Sequence, residues 1–379
     1  MAPPSDQDPK SAEIAFSTQQ PSPLPPGSKF TRLAAIALLL LAVAAAFLWL
    51  GGWFSPHKLT PSRFVDEFER VNGKFSGVRR NHAKGVCVAG FFDSNGNGAR
   101  LSRAAVFQSG RTPVIGRFSL GGGDPHAPDQ FANVRGLGLQ FSLSDGEQWR
   151  TAMINLPVFP FKDPQAFYDN LVASQPDPAT HQPDPAKLAA FAANNPETVA
   201  ALAIIKSHAP SSGFDNSAFY GLNAFRFISA DGASTAVRWS LVPSQPVEEP
   251  GAAGASPAAN QDKNFLFDAL IASILQHPLQ WHLILTVAQP GDRTNDATIP
   301  WPDGREQVDV GTLTLTSVES EDTSPARDIN FDPLILPAGI QPSGDPLLSA
   351  RSAIYSQSFT RRESEKKEPG AITPSEVRK

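Results

Sequence analysis

From Leu33 to Phe54 the chain reads LAAIALLLLAVAAAFLWLGGWF, 22 residues without a charged side chain. Hydrocarbon offers no partner to backbone polar groups, so such a run in a membrane must be helical, and it is long enough to cross a core of about 30 Å. A buried core helix fits this length poorly. A cleavable leader is the rival reading, because Ala42, Ala44 and Ala46 supply small residues. Against it stand the length of the run and the long segment in front of it. That segment contains PPSDQDP and QQPSPLPPG and has almost nothing to bury, which predicts a disordered tail. The chain is thus expected to divide into a Pro-rich tail at 1–32, a single-pass transmembrane anchor at 33–54, a folded domain at 55–362 and a charged tail at 363–379. Lys29 and Arg32 precede the span, which favours a cytoplasmic N-terminus and a periplasmic folded domain, although Lys58 and Arg63 follow closely.

With 41% hydrophobic residues among 379, the part beyond the span can bury a sizeable core. A net charge of −5 with interspersed signs gives no basic footprint for nucleic acid. The single cysteine, Cys87, excludes an intrachain disulfide and every C-x-x-C site, including thioether attachment of haem, so a cofactor must be held by other means.

Phe64, Val65, Phe68 and Val71 recur at helical spacing and predict a short helix at the start of the domain. Runs with strand character follow at Arg103–Gln108, Pro113–Leu120, Gly136–Leu143 and Gln148–Asn155. Asp163–Ala173 and the Ala-rich Pro185–Ser207 then read as helices. A second set of strands is expected at Tyr220–Ile228, Thr235–Leu241, Leu279–Ala288 and Val308–Thr316, with a helix at Asn264–Gln276 inside it. Four strands, a helical insert and four more strands suit an α+β domain built on a closed eight-stranded antiparallel β-barrel with helices outside.

Several motifs lead nowhere. DSNGNG carries Asp93, Asn95, Asn97 and Gly98 at calcium-loop spacing, but the twelfth position is Ala104 where a bidentate Glu is needed, so a turn is expected. Gly121–Gly123 lacks the residues of a phosphate loop, and neither H-E-x-x-H nor G-x-S-x-G occurs.

Four other segments carry more information. RRNHAKG at Arg79–Gly85 resembles the R-x-x-H-A-K-G segment of haem catalases. TPVIGRFSL, followed by a Gly-rich loop and VRGLGLQF, is similar to that family's T-P-x-x-x-R-F-S and R-G-x-x-x-x-F, matching Arg117, Ser119 and Arg135. NLPVFPFKDPQAF resembles N-x-P-x-F-x-x-x-D-P-x-x-F, and FDPLILPAGIQPSGDPLLSARSAIY resembles the segment in which R-x-x-x-Y supplies the iron ligand. These segments stand in order from about residue 60 to 362. By this resemblance the chain looks like a member of the catalase superfamily, in its shorter, catalase-related peroxidase branch, carrying haem b (iron protoporphyrin IX). The resemblance implies His82 as distal acid/base, Ser119 as the residue that orients it, and Asn155 as the distal amide. Arg79 and Arg117 are implied as partners of the haem carboxylates, Phe159 and Phe167 as pocket aromatics, and Arg351 and Tyr355 as the proximal pair, with Tyr355 on iron.

The residues themselves support that chemistry. Only Tyr168, Tyr220 and Tyr355 offer a phenol. A phenol must lose its proton to bind ferric iron, and Arg351, one helical turn from Tyr355, supplies a permanent cation that favours the phenolate; a surface Arg–Tyr pair is the plainer alternative. A neutral imidazole at His82 can take a proton from one peroxide oxygen and return it to the other. Two departures bear on the reaction. Aligned on Pro157, Asn155 matches the second asparagine of the family's N-N-x-P and Ile154 stands where the first, usual distal asparagine would be, while Asn81 replaces a common valine. The expected function is a peroxidase acting on hydrogen peroxide or an organic hydroperoxide with a small external electron donor. The alternatives are a true catalase, fatty-acid hydroperoxide rearrangement of the allene oxide synthase kind, and haem binding without turnover. Self-association is left open.

Overall fold

The computed structural model describes residues 26–51, 58–131, 133–208, 210–245 and 263–373. It divides into two units, 1–58 and 59–379. In the first, helix α1 covers Pro26–Leu50. Its stretch Lys29–Leu50 has a mean hydropathy of 2.8 and no buried part, and Leu38 and Phe47 are exposed. The helix starts several residues before the predicted anchor, so 26–32 belong to it and not to an irregular tail. The rest of the expected tail, and the end of the expected span at 52–54, lie outside the described residues.

The second unit opens with α2 (Pro61–Asn72), whose Thr60 hydroxyl accepts from Arg63 N at 3.3 Å. The strands are β1 (Gly85–Ser94), β2 (Gly110–Leu120), β3 (Arg135–Ser142) and β4 (Gln148–Ile154), then β5 (Phe219–Tyr220), β6 (Phe225–Ile228) and β7 (Ser234–Pro243), and finally β8 (Leu279–Val287), β9 (Gln307–Glu319) and the short β10 (Ile340–Pro342). Each pairs antiparallel with its neighbours in the order β1-β2-β3-β4-β5-β7-β8-β9, and β9 returns to β1. The ring is therefore a closed eight-stranded barrel; β6 pairs farther along β7 and carries β10 on its outer side. Eight strands leave an interior just wide enough to be filled by side chains. Trp149 stands inside with Phe141 stacked on it at 4.7 Å and Trp239 edge-on at 5.2 Å.

Helices lie outside: α3 (Pro164–Ala173), α4 (Pro185–Asn194), α5 (Pro196–Ser207), α6 (Phe265–Gln276) and α7 (Pro346–Glu363). Both α3 and α7 begin with Asp then Pro, and both aspartates cap their helices: Asp163 accepts from Ala166 N at 2.9 Å and Asp345 from Leu347 N at 2.9 Å.

Four local expectations change. Arg103–Gln108 is no strand: it makes a short 3₁₀ turn at Ala105–Phe107, and its apolar pattern serves to plug the barrel, Phe107 packing on Phe227 and Trp149. The eighth stave is β1, whose GVCVAGFFDS gives little alternation to read. Pro185–Ser207 breaks into α4 and α5, bent by 105° at Asn195–Pro196, because proline donates no N–H and disfavours a helical residue before it. Tyr220–Ile228 is interrupted between β5 and β6, where Leu222 takes a left-handed φ of 65°. Residues 364–373, expected to begin a solvated tail, pack on the domain: Ile372 is 0% exposed, Ser320 Oγ donates to its carbonyl, and Glu365 pairs with Arg80.

Candidate active site

Alternation along the barrel wall creates the site. In β4 Trp149, Thr151 and Met153 point inward and are buried, which turns Ala152 and Ile154 outward. On that outer side a cavity of about 580 Å³ is bounded by barrel residues, by Phe64 and Phe68 of α2, by Phe167 of α3 and by Arg351, Ile354, Tyr355 and Phe359 of α7. Its barrel wall carries Gly136 and Gly138. A Cβ on Gly136 would lie 2.9 Å from His82 Nδ1 and 2.8 Å from Ser119 Oγ, and one on Gly138 would lie 2.8 Å from the Phe331 ring. These positions are bare so that other side chains can occupy the wall.

His82 enters from the segment before β1 with φ 56°, a conformation that costs a non-glycine residue about 1–2 kcal/mol. The surroundings hold it there. Asn81 Oδ1 accepts from His82 N at 3.0 Å and from Gly122 N at 2.9 Å, Ala83 N donates to Gly122 O at 3.0 Å, and Arg117 donates to the carbonyls of His82 and Ala83 at 2.8 Å each. His82 Nδ1 lies 3.1 Å from Ser119 Oγ. Burial, with Arg117, Arg351 and Arg79 nearby, pushes the imidazole down to about 4, so it is neutral at pH 7.

On α7 the i,i+4 pair forms as predicted. Arg351 Nη2 donates to Tyr355 Oη at 3.4 Å and to Ala152 O at 2.9 Å, while Nη1 donates to Asn223 Oδ1 at 2.6 Å. Asn223, carried by the break between β5 and β6, donates in turn to Asp345 at 2.8 Å. Phe159 and Phe167 both line the cavity with centroids 5.5 Å apart, and Phe161 stacks on Phe167 at 4.7 Å.

His82, Ser119, Arg79, Arg117, Phe159, Phe167, Arg351 and Tyr355 are thus brought to one cavity. Asn155 is not. Its Oδ1 accepts from Arg135 N at 2.8 Å and its Nδ2 donates to Asn133 O at 3.3 Å, so the amide ties down the chain before β3 while Ile154 faces the cavity. Arg135 also turns away, onto the carbonyls of Ser211 and Gly213. Residues missed from the sequence include Phe331, Asn223 and Arg362. The spacing 351, 355, 359, 362 on one helix face could have revealed Arg362; only the folded chain reveals Asn223.

The donor set suits a dicarboxylic porphyrin. The cavity has extensive apolar walls, one phenol beside a guanidinium, and at its edge Arg362, 3% exposed, whose Nε has no protein partner. A buried guanidinium with a spare donor is a receptor for a carboxylate.

The family model described as catalase matches residues 55–368. The catalase-related peroxidase of Synechococcus elongatus is 39% identical over 337 residues, 88% of this chain and 97% of that protein. The catalase-related peroxidase of Mycolicibacterium paratuberculosis is 32% identical, covering 80% and 95%. Among solved structures, a bacterial catalase superposes with a TM-score of 0.66 at 21% identity and a fungal catalase with 0.68 at 20%. The alignments cover 76% and 79% of this chain but only 58% and 61% of those longer chains. With its barrel, its cavity and the match across 55–368, the chain belongs to the catalase family.

Proposed function

We propose that this chain is a haem b peroxidase that reduces hydrogen peroxide or an organic hydroperoxide with a small external electron donor. The observation that carries the reading is the convergence of the His82–Ser119 pair and the Arg351–Tyr355 pair on one cavity. When bound, haem iron supplies the redox chemistry of peroxide reduction. The chain's own residues handle the proton and the anions. With its proton on Nδ1 and directed at Ser119 Oγ, neutral His82 would keep Nε2 free to accept the proton of a hydroperoxide and return it to the leaving oxygen. Arg351, held by Asn223 and Ala152, directs N–H toward the phenol oxygen of Tyr355 and stabilises negative charge on it. Arg362 and Arg79 would meet the carboxylates of the cofactor, and Phe159 and Phe167 would border it.

Two features favour an external donor over dismutation. The relatives that this chain covers over 97% and 95% of their length are named catalase-related peroxidases. Ile154 also faces the cavity while the Asn155 amide is spent on the backbone, so the amide expected to hold a second peroxide is missing. Misplacing a reactant by about 1 Å can cost roughly 10²-fold in rate. The test compares initial oxygen evolution with dye oxidation at equal hydrogen peroxide. Dye oxidation should dominate in the wild type, and Ile154→Asn should gain oxygen evolution; dominant oxygen evolution by the wild type makes the chain a true catalase instead.

The same proposal places α1 as a single-pass anchor with the enzyme domain on the periplasmic side, supported by its apolar length and by Lys29 and Arg32 in front of it. A reporter active only outside the cytoplasm, fused after Lys379, should be active. Activity of a cytoplasm-only reporter at that point reverses the topology.

A further inference from the structure

Glu321 follows β9 in the acidic stretch ESEDTSP. It is 8% exposed. Its Oε1 accepts from Arg117 Nε at 2.7 Å and from Arg79 Nη1 at 3.2 Å, and its Oε2 accepts from Arg117 Nη2 at 3.0 Å. Arg79, Arg117 and Arg362 all line the main cavity, whereas Glu321 lines a separate recess of about 20 Å³ shared with Arg79, Arg362 and Pro369. The carboxylate therefore reaches the arginines from outside the main cavity.

Three guanidinium groups in one corner, those of Arg117 and Arg362 buried and that of Arg79 partly so, are costly without anions. Burial and repulsion from Arg117 and Arg362 hold Arg79 well below the ordinary guanidinium range, against the pull of Glu321. Burial pushes the Glu321 carboxyl up, but Arg117 and Arg79 overcome this and keep it below the usual carboxylate range. Arg327, which also lines the recess, pairs with Asp322, while Glu321 bonds Arg79 and Arg117 and leaves Arg362 Nε without a hydrogen-bond partner. Arg117, gripped by Glu321 through Nε and Nη2, spends its other bonds on the carbonyls of His82 and Ala83.

We propose that Glu321 is a positioning residue that sets the anion-binding charge of the cavity. It takes up part of the guanidinium charge of the corner, keeps Arg117 on the segment bearing His82, and leaves Arg362, with its unpartnered Nε, to meet a carboxylate of the ligand. The inference rests on the porphyrin-site reading above and goes beyond it by assigning the balance to one buried acid.

The experiment titrates the detergent-solubilised full chain, freed of haem, with metal-free protoporphyrin IX and with its dimethyl ester, following tryptophan fluorescence. The readout is the ratio of the two affinities, which cancels changes in cavity shape. Glu321→Gln should raise the preference for the diacid roughly tenfold by exposing another positive charge, while Glu321→Asp should stay within about twofold of wild type. An unchanged or lowered ratio in folded Glu321→Gln overturns the proposal. If that variant fails to fold by circular dichroism, Arg362→Gln reads the same balance in the opposite direction: the ratio should fall roughly tenfold, and an unchanged ratio overturns it. Binding of neither porphyrin by the wild type overturns the porphyrin site and this inference together.

Discussion

The two groups that line the cavity at His82 and at Tyr355 are held in different ways. Tyr355 sits in the middle of α7, a regular helix with a Pro start and an Asp cap, and its alignment with Arg351 follows from the i,i+4 geometry of any helix. His82 sits in a segment without regular structure, in a left-handed conformation that is held only because Asn81, Gly122, Arg117 and Ser119 each bond to it or to its neighbours. The proposed iron ligand takes its place from a stiff helix and one supporting chain, Arg351 to Asn223 to Asp345. The proposed proton carrier would need a fixed ring direction, and bonds from several segments hold the backbone that bears it.

The largest effect that can break this comparison is on turnover. His82→Ala should keep haem and lower peroxide turnover by about 10²- to 10⁴-fold, the usual contribution of general acid–base catalysis. Retained turnover in a haem-replete variant removes His82 from the reaction. Next comes haem retention. Tyr355→Ala should weaken haem binding by more than roughly 10²-fold and abolish the high-spin ferric spectrum, since even second-layer changes around a metal cost 10- to 100-fold. An unchanged spectrum assigns the ligand elsewhere.

Protonation sharpens the contrast further. His82 is pushed from 6.5 to about 4 in the fold, so the unfolded chain binds its proton first as pH falls. The stability that a neutral His82 contributes is complete above about pH 6.5 and is lost progressively down to about pH 4, a change of roughly 3 kcal/mol. Chemical denaturation of the haem-free protein between pH 7.5 and 4 should show this slope in the wild type and not in His82→Ala. Equal slopes place the imidazole in a more solvated setting. The smallest effects compare the two supports directly. Asn81→Ala strands two backbone donors and should cost about 2 kcal/mol, while Ala350→Gly on α7 should cost about 1 kcal/mol through helix propensity alone. Denaturation midpoints measure both, and a cheaper change at Asn81 means that its two bonds do not hold the segment.

The Arg351–Tyr355 pair was legible because its local spacing stands within a segment that resembles a known family, and the helix start at Asp163–Pro164 was legible from local residues alone. Arg103–Gln108 misled because a plug in the end of a barrel needs the same apolar residues as a strand, and no local rule separates them. Asn155 misled because an amide that binds a substrate and one that binds a neighbouring backbone look alike until the direction of the side chain is known. Glu321 was hidden inside an acidic run whose other members face solvent.

The sequence by itself determined which side chains are available to the chemistry: one apolar span, one R-x-x-H-A-K-G segment and one R-x-x-x-Y segment, both informative through a family resemblance, and seven of the eight barrel staves, all but β1. These follow from local spacing, which the covalent chain preserves. Tertiary structure alone decided that Ile154 and not Asn155 meets the cavity, that the break after β5 delivers Asn223 to Arg351, and that Glu321 reaches Arg79 and Arg117 across more than two hundred residues. Such choices depend on register, closure and burial, which are set only when distant segments pack against one another.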